Sequence, residues 1–242
     1  MKIKTTLLLF FCFLQITAQD TSLDSLRHKT FNFKPLIIPS VFVGYGIVSL
    51  NSPSLISVDS AIQESFETSK RTHIDDLTMI LPAASVYGLN LIGVQGKHNF
   101  KHRTLLVGTA SVLVLSSVLA TKAITQRERP DGSSDDSFPS GHTAISFMGA
   151  EFLYQEYKHI SPWYGIVGYG LAATTGYLRL YNNKHWFSDV VAGAGFGILS
   201  TKIAYLLHPY LEKTLFKNTS ETSFVSPFYN GEHLGLSFVR SF

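Results

Sequence analysis

Apolar residues fall in six blocks along the chain, at residues 35–50, 78–94, 104–121, 143–157, 163–181 and 189–207, with short polar stretches between them. The second, third, fifth and sixth blocks are 17 to 19 residues long, close to the roughly 20 that carry a helix across a hydrocarbon core of about 30 Å. The first block is shorter and the fourth contains Glu151 and Glu156, so hydropathy alone makes neither a clear span. Small residues repeat four apart, Ala172 with Gly176 and Gly193 with Gly197, a spacing that lets helices approach closely on one face. The pattern predicts an all-α fold, a six-helix membrane bundle. Beyond residue 211 the period changes: Leu234, Leu236 and Phe238 alternate with polar or small residues, downstream of the tight-turn signal Asn230-Gly231. A short C-terminal β-hairpin is the reading there, with a frayed extension as the alternative.

The first 18 residues read as an export signal: Lys2 and Lys4, an apolar run over 7–14, then Ile16-Thr17-Ala18 as the cleavage site. That run is too short to span a bilayer, although an uncleaved anchor is the alternative. Cys12, the single cysteine, lies inside it, so a processed chain forms no disulfide and no thiolate nucleophile. The chain divides into a signal peptide (1–18), a linker (19–34), a helical domain (35–211) and a tail (212–242).

Composition agrees with a membrane protein bearing polar loops. Of 242 residues, 45% are hydrophobic and 15% charged, which excludes a disordered tail, a coiled coil or a collagen-like fibre. The net charge of +3, with no Lys/Arg-rich run interleaved with aromatics, gives no support for a nucleic-acid partner.

The polar residues that break the bundle pattern cluster at block ends. Lys122 and Arg129-Pro130 follow the third block, Pro139-Ser140-Gly141-His142 opens the fourth, and Arg179, His185 and Asp189 join the fifth to the sixth. If successive helices alternate in direction, all three clusters share one membrane face. Lys and Arg bind phosphate oxygens by charge-assisted hydrogen bonds; Gly141 at a helix start lets backbone N–H groups approach an anion, and Ser140 adds a hydroxyl. Of the two imidazoles, one can attack phosphorus and the other can protonate the leaving oxygen. Asp189, four residues after His185, favours His185 as the nucleophile by accepting a hydrogen bond from its ring. The sequence alone does not order the two roles.

These blocks closely resemble the signature of the type 2 phosphatidic acid phosphatase superfamily: lysine, six residues, Arg-Pro; then Pro-Ser-Gly-His; then an arginine with His and Asp at the spacing found here. The likeness spans Lys122 to Asp189, and the six-block layout extends it over residues 35–211. One departure is Leu178, where the family usually has serine before the arginine. The resemblance implies a membrane phosphatase acting on a lipid phosphomonoester or pyrophosphate, with His185 as the site of a phosphohistidine and Asp189 orienting it. It further implies that His142 protonates the leaving group and activates water, that Lys122, Arg129, Ser140, Gly141 and Arg179 hold the phosphate, and that no metal or other cofactor is needed. The implied partners are a phosphorylated lipid and the membrane. Other readings are a secreted non-specific acid phosphatase, a vanadate haloperoxidase and a non-catalytic lipid-binding membrane protein.

The remaining polar residues carry blander expectations. His98 and His102 sit four apart in a lysine-rich loop with no nearby acid, and His28, His73, His159, His208 and His233 are isolated; all seven read as surface residues. Asp131, Asp135 and Asp136 lack the glycine and glutamate positions of a calcium loop. Glu151 and Glu156 read as facing the bundle interior or its rim. The amphipathic stretch 52–76 reads as a rim that admits lipid. With the three proposed phosphate ligands Lys122, Arg129 and Arg179 set aside, Lys97, Lys101, Arg103, Lys158, Lys213 and Lys217 outnumber Lys70, Arg71, Arg127 and Lys184 on the pocket side, so the positive-inside rule turns the pocket outward, to the periplasmic side of a bacterial inner membrane. A cleaved signal together with a spanning block at 35–50 places the pocket inside by parity, so the outward reading requires that block to re-enter or lie at the interface, or the signal to be retained.

Overall fold

The computed structural model describes residues 33–66, 72–216, 223–229 and 234–240; the expected export signal and Cys12 lie outside them. The described helices are α1 (Lys34–Ser49), α2 (Pro53–Glu64), α3 (Ile74–Leu91), α4 (Phe100–Thr125), α5 (Gly141–Tyr157), α6 (Trp163–Tyr181) and α7 (Phe187–Leu215). Six coincide with the apolar blocks. The seventh, α2, forms within the amphipathic stretch, where Pro53 supplies a preset first-turn conformation. It follows α1 after a break bent by 95°. α7 continues past residue 211, so the expected domain boundary falls inside a helix.

Contacts at the two ends show the alternation of direction. Arg103 at the start of α4 donates to Asn90 near the end of α3, while Arg179 at the end of α6 donates to Asp75 at the start of α3. α5 is the central helix: eleven of its residues are buried, against α3, α4, α6 and α7. One apolar cluster joins Ala110, Val114 and Val118 of α4 to Ala144 and Met148 of α5 and Ala204 of α7. Another joins Val86, Leu106, Phe152, Leu153 and Tyr157. The small-residue positions are where backbones meet. A Cβ at Gly193 would stand 2.6 Å from the Ser140 carbonyl, one at Gly176 would stand 2.8 Å from Val190 Cγ1, and one at Gly197 would collide with the Ala144 carbonyl.

α4 and α7, at 26 and 29 residues, are each long and apolar enough to cross a bilayer, and α1 with α2 pass together as a bent pair. Val112, Leu119 and Ile124 of α4 and Ile166 and Val167 of α6 are exposed, a surface suited to hydrocarbon rather than water. Glu151 and Glu156 are buried inside the bundle. Glu151 is held by Lys202 Nζ at 2.7 Å and by the Tyr169 hydroxyl, and Glu156 by Tyr205 at 2.6 Å and His98 Nδ1 at 2.7 Å.

That last contact corrects the surface reading of the histidines. The acids absent from the local sequence arrive from α5 and α7: Glu156 pairs with His98, and Glu212 lies near His102 and His208. His208 is buried, whereas His73 and His159 are exposed as expected and His28 and His233 lie outside the described residues. In the tail, β1 (Ser223–Tyr229) and β2 (Leu234–Arg240) pair antiparallel, Ser226 opposite Ser237; Asn230 and Gly231 fall outside the described residues.

Candidate active site

His185 lies between α6 and α7 and is 3% exposed. Its Nδ1 is 2.8 Å from the Ser137 carbonyl oxygen, and since a carbonyl only accepts, Nδ1 carries the proton and Nε2 keeps a free lone pair. Asp189 Oδ2 stands 3.7 Å from that nitrogen, beyond hydrogen-bond reach. The sequence suggested direct contact; the structure instead interposes Ser137, whose hydroxyl donates to Asp189 Oδ2 at 2.5 Å. The same oxygen accepts from Trp186 N at 2.9 Å, so Asp189 also caps α7. Burial pushes the His185 imidazole down to about 4, with Asp189 working against the shift and the Arg179 and Lys122 cations adding to it.

The cations gather around the same corner. Lys122, in the last turn of α4, donates to the Asp136 carbonyl, and Arg129 Nη2 is 2.9 Å from the Asp136 carboxylate. Burial works to raise the Asp136 carboxyl, but the Ser134 hydroxyl, Lys122, Arg129 and His185 outweigh it and hold it below the usual range. Arg179 pairs with Asp75, which also accepts from Asn182 at 3.2 Å. His142 Nε2 meets Asp76 Oδ1 at 2.9 Å. Two guanidinium donors, Arg129 Nε and Arg179 Nε, are buried and have no acceptor.

The opening of α5 provides an approach. Ser140 N donates to the Asp189 carbonyl at 3.0 Å, anchoring the turn to α7. Its hydroxyl is 2.9 Å from Thr143 Oγ1, so that oxygen is shared with the helix start. A Cβ on Gly141 would rest in ordinary contact with Val118 Cγ1 at 3.9 Å, so a small side chain would fit here without a clash. All eight residues singled out in the sequence therefore lie at one end of the bundle.

Sequence reasoning missed the acids and one arginine. Arg127 is half-buried between two carboxylates: Nη1 donates to Asp189 Oδ1 at 2.7 Å and Nη2 to Asp59 Oδ2 at 2.8 Å. Asp59 on α2 also accepts from Ser188 N and Oγ at 2.9 and 2.5 Å. The available signal was Asp59, a carboxylate in the middle of a helical stretch whose one other charge, Glu64, stands at its end. Asp75, Asp76 and His142 offer ligand atoms within 4.8 Å of one another, but a cation there would have to displace the Arg179 guanidinium from Asp75.

Residues 101–213 match the family model of the PAP2 superfamily. This segment belongs to that superfamily. The chain is 35% identical over 153 residues to the lipid A 1-phosphatase of Porphyromonas gingivalis, an alignment covering 62% of this chain and 34% of that protein. The chain thus spans about a third of that relative's length. The PAP2 type transmembrane phosphatidylglycerolphosphate phosphatase of Bacillus subtilis superposes with a TM-score of 0.51 at 24% identity, covering 74% of this chain and 98% of that one. The chain therefore shares the helical fold of that protein. All eight expected site residues lie inside the PAP2 segment, whereas Asp59, Asp75 and Asp76 enter from helices that precede it.

Proposed function

We propose that this chain is a membrane phosphatase that hydrolyses a lipid phosphomonoester or pyrophosphate through a phosphohistidine on His185. One observation carries the reading: a buried, neutral imidazole shares its corner with two buried guanidinium Nε groups that lack acceptors. Each such donor costs about 1–3 kcal/mol if left unbonded, and a phosphoryl group supplies oxygens for both while Lys122 binds a third.

His185 Nε2 attacks phosphorus in line as the bond to the lipid oxygen breaks, and that oxygen leaves with the electron pair and takes a proton from His142. Asp76 accepts from His142 Nε2–H, so in the imidazolium it is the second proton, on Nδ1, that passes to the leaving oxygen. In the second half, His142 takes a proton from water, the water oxygen attacks phosphorus, and the P–N bond breaks to return the lone pair to His185. Lys122, Arg129, Arg179 and the backbone at Gly141 neutralise the oxygens as charge redistributes. Ser137 positions both His185 and Asp189. Every step uses this chain's own side chains.

The substrate class follows from the setting: an anion-binding corner at the end of a bundle whose sides are apolar. Phosphatidic acid, phosphatidylglycerol phosphate, undecaprenyl pyrophosphate and a phosphorylated lipid A fit the class, and the similarity to a lipid A 1-phosphatase puts the last first in order of testing. The pocket faces outward. Arg127 and Arg103 are spent on internal partners; with these two and the phosphate ligands Lys122, Arg129 and Arg179 left out of the count, the cation excess lies at the opposite end, the cytoplasmic side by the positive-inside rule.

Purified protein should release inorganic phosphate from at least one of these lipids with a chelator present. Rapid quenching with labelled substrate should trap label on histidine in the parent chain and none in His185→Asn. Absence of release from the whole panel, or label retained in His185→Asn, would refute the proposal.

A further inference from the structure

At the end of the bundle away from the pocket, side chains from α4 and α7 form a second cluster that hydrolysis does not use. His102 lies twenty positions before Lys122 on α4, which at 1.5 Å per residue sets it about 30 Å from the pocket. We propose that His102, His208 and Glu212 form a divalent transition-metal site of the zinc type that staples α4 to α7.

The argument begins with distances. His102 Nδ1 and His208 Nε2 are 3.1 Å apart; a tetrahedral zinc with metal–nitrogen bonds of about 2.0–2.1 Å holds two ligands about 3.3 Å apart. Glu212 Oε1 is 3.8 Å from His102 Nδ1, and Glu212 Oε2 is 3.9 Å from His208 Nδ1. Those separations are too long for hydrogen bonds, so the carboxylate sits beside both rings without bonding to either. One ligand atom from each of the three residues falls within 4.8 Å of the others, and a half-turned Glu212, which is 47% exposed, closes the remaining gap. A two-histidine, one-carboxylate set with an open fourth position is an established zinc donor set.

The surroundings fit a cation. His208 and Glu212 are one turn apart on α7, which puts them on one face, and Asn99 fixes the start of α4 by accepting from His102 N at 3.0 Å. The nearest positive groups are committed elsewhere: Lys101 Nζ lies 3.8 Å over the Phe216 ring, and Arg103 donates to Asn90 and to the His98 carbonyl at 2.7 and 2.6 Å. The His98 ring is 5.2 Å from that of His208. Because its Nδ1 is held by Glu156, its Nε2 is the nitrogen available as a fourth ligand in place of water.

The test uses tag-free, full-length protein stripped of metal by a chelator. Zinc titrated into it should bind at one equivalent per chain and raise the melting temperature. Half-exposed Glu212→Gln and partly exposed His102→Gln should each bind zinc at least about tenfold more weakly and lose most of the thermal shift, while phosphate release from lipid continues with chelator present. Cobalt substitution should give the intense visible bands of a tetrahedral ion in the parent chain alone. No zinc binding, or equal affinity in the parent and both variants, would overturn the site. Loss of all phosphate release with intact zinc binding would overturn the proposed hydrolase and leave this site standing.

Discussion

The burial of His185 makes a prediction about stability that is independent of catalysis. The folded chain holds this imidazole neutral down to about 4, against an ordinary value of 6.5. Between those values the unfolded chain binds a proton that the folded chain does not, so acid favours unfolding. The contribution is fully present above pH 6.5 and is lost as pH falls towards 4. Each tenfold difference in proton affinity corresponds to about 1.4 kcal/mol, so the whole window amounts to about 3 kcal/mol. Other groups titrate in the same range, and the useful quantity is therefore a difference. His185→Asn keeps an N–H donor for the Ser137 carbonyl and removes the titration. Thermal unfolding in detergent, at pH 7 and pH 4.5, should show the parent losing about 5–10 °C more than the variant on acidification. Equal losses would mean that His185 is either solvated or already charged in the folded chain, and the neutral-nucleophile argument would fail with it.

Four further outcomes follow from the geometry. Gly141→Ala meets no protein atom closer than 3.9 Å, so the variant should melt at or slightly above the parent temperature yet lose at least about tenfold in kcat/KM as its methyl intrudes on the phosphate approach. Asp136→Ala frees Arg129 from its carboxylate partner and removes a nearby negative charge from Lys122, whose bond to the Asp136 backbone carbonyl remains; it should lower KM several-fold in steady-state assays, whereas a raised KM would show that Asp136 orders Arg129. Arg127→Met leaves Asp59 and Asp189 buried without their shared cation and should cost about 3–5 kcal/mol in denaturant or thermal unfolding. Arg127→Lys should recover only part of that, since one ammonium lacks the planar fork that serves both carboxylates. Substitutions at Phe66, which packs on Tyr177 and Tyr181, test the stretch 52–76 as a lipid rim while leaving Asp59 in this network: lipid turnover should fall while hydrolysis of a small soluble ester is spared.

The eight candidate site residues were legible because each block of them is local, sits at the end of an apolar segment and needs only alternating helices to converge. The partners of those blocks were not. Asp59 meets Arg127, Asp75 meets Arg179 and Asp76 meets His142 across 68, 104 and 66 positions, separations at which spacing carries no information. The central helix α5 was hard to read for a related reason. Glu151 and Glu156 lower its hydropathy, and only the folded bundle reveals the Lys202, Tyr169, His98 and Tyr205 groups that offset their burial. His98 and His102 misled in the same way, their acids lying on other helices.

These unforeseen acids fall into two kinds, and the division bears on how the pocket works. Gathering Lys122, Arg129, Arg179 and Arg127 into one corner creates repulsion that a folded chain has to offset before any anion arrives. Asp59 and Asp75 are 1% and 3% exposed and carry three or more hydrogen-bonding contacts or a guanidinium pair between them and the scaffold, so they are fixed parts of the fold. Asp136 and Asp76, the partners of Lys122, Arg129 and His142, are 47% and 61% exposed. A carboxylate in that position exchanges its partner for a phosphate oxygen by rotating into solvent, with no loss of core packing. Under the proposed mechanism, the buried acids hold the cations in place and the exposed ones hold the seats that a phosphate takes.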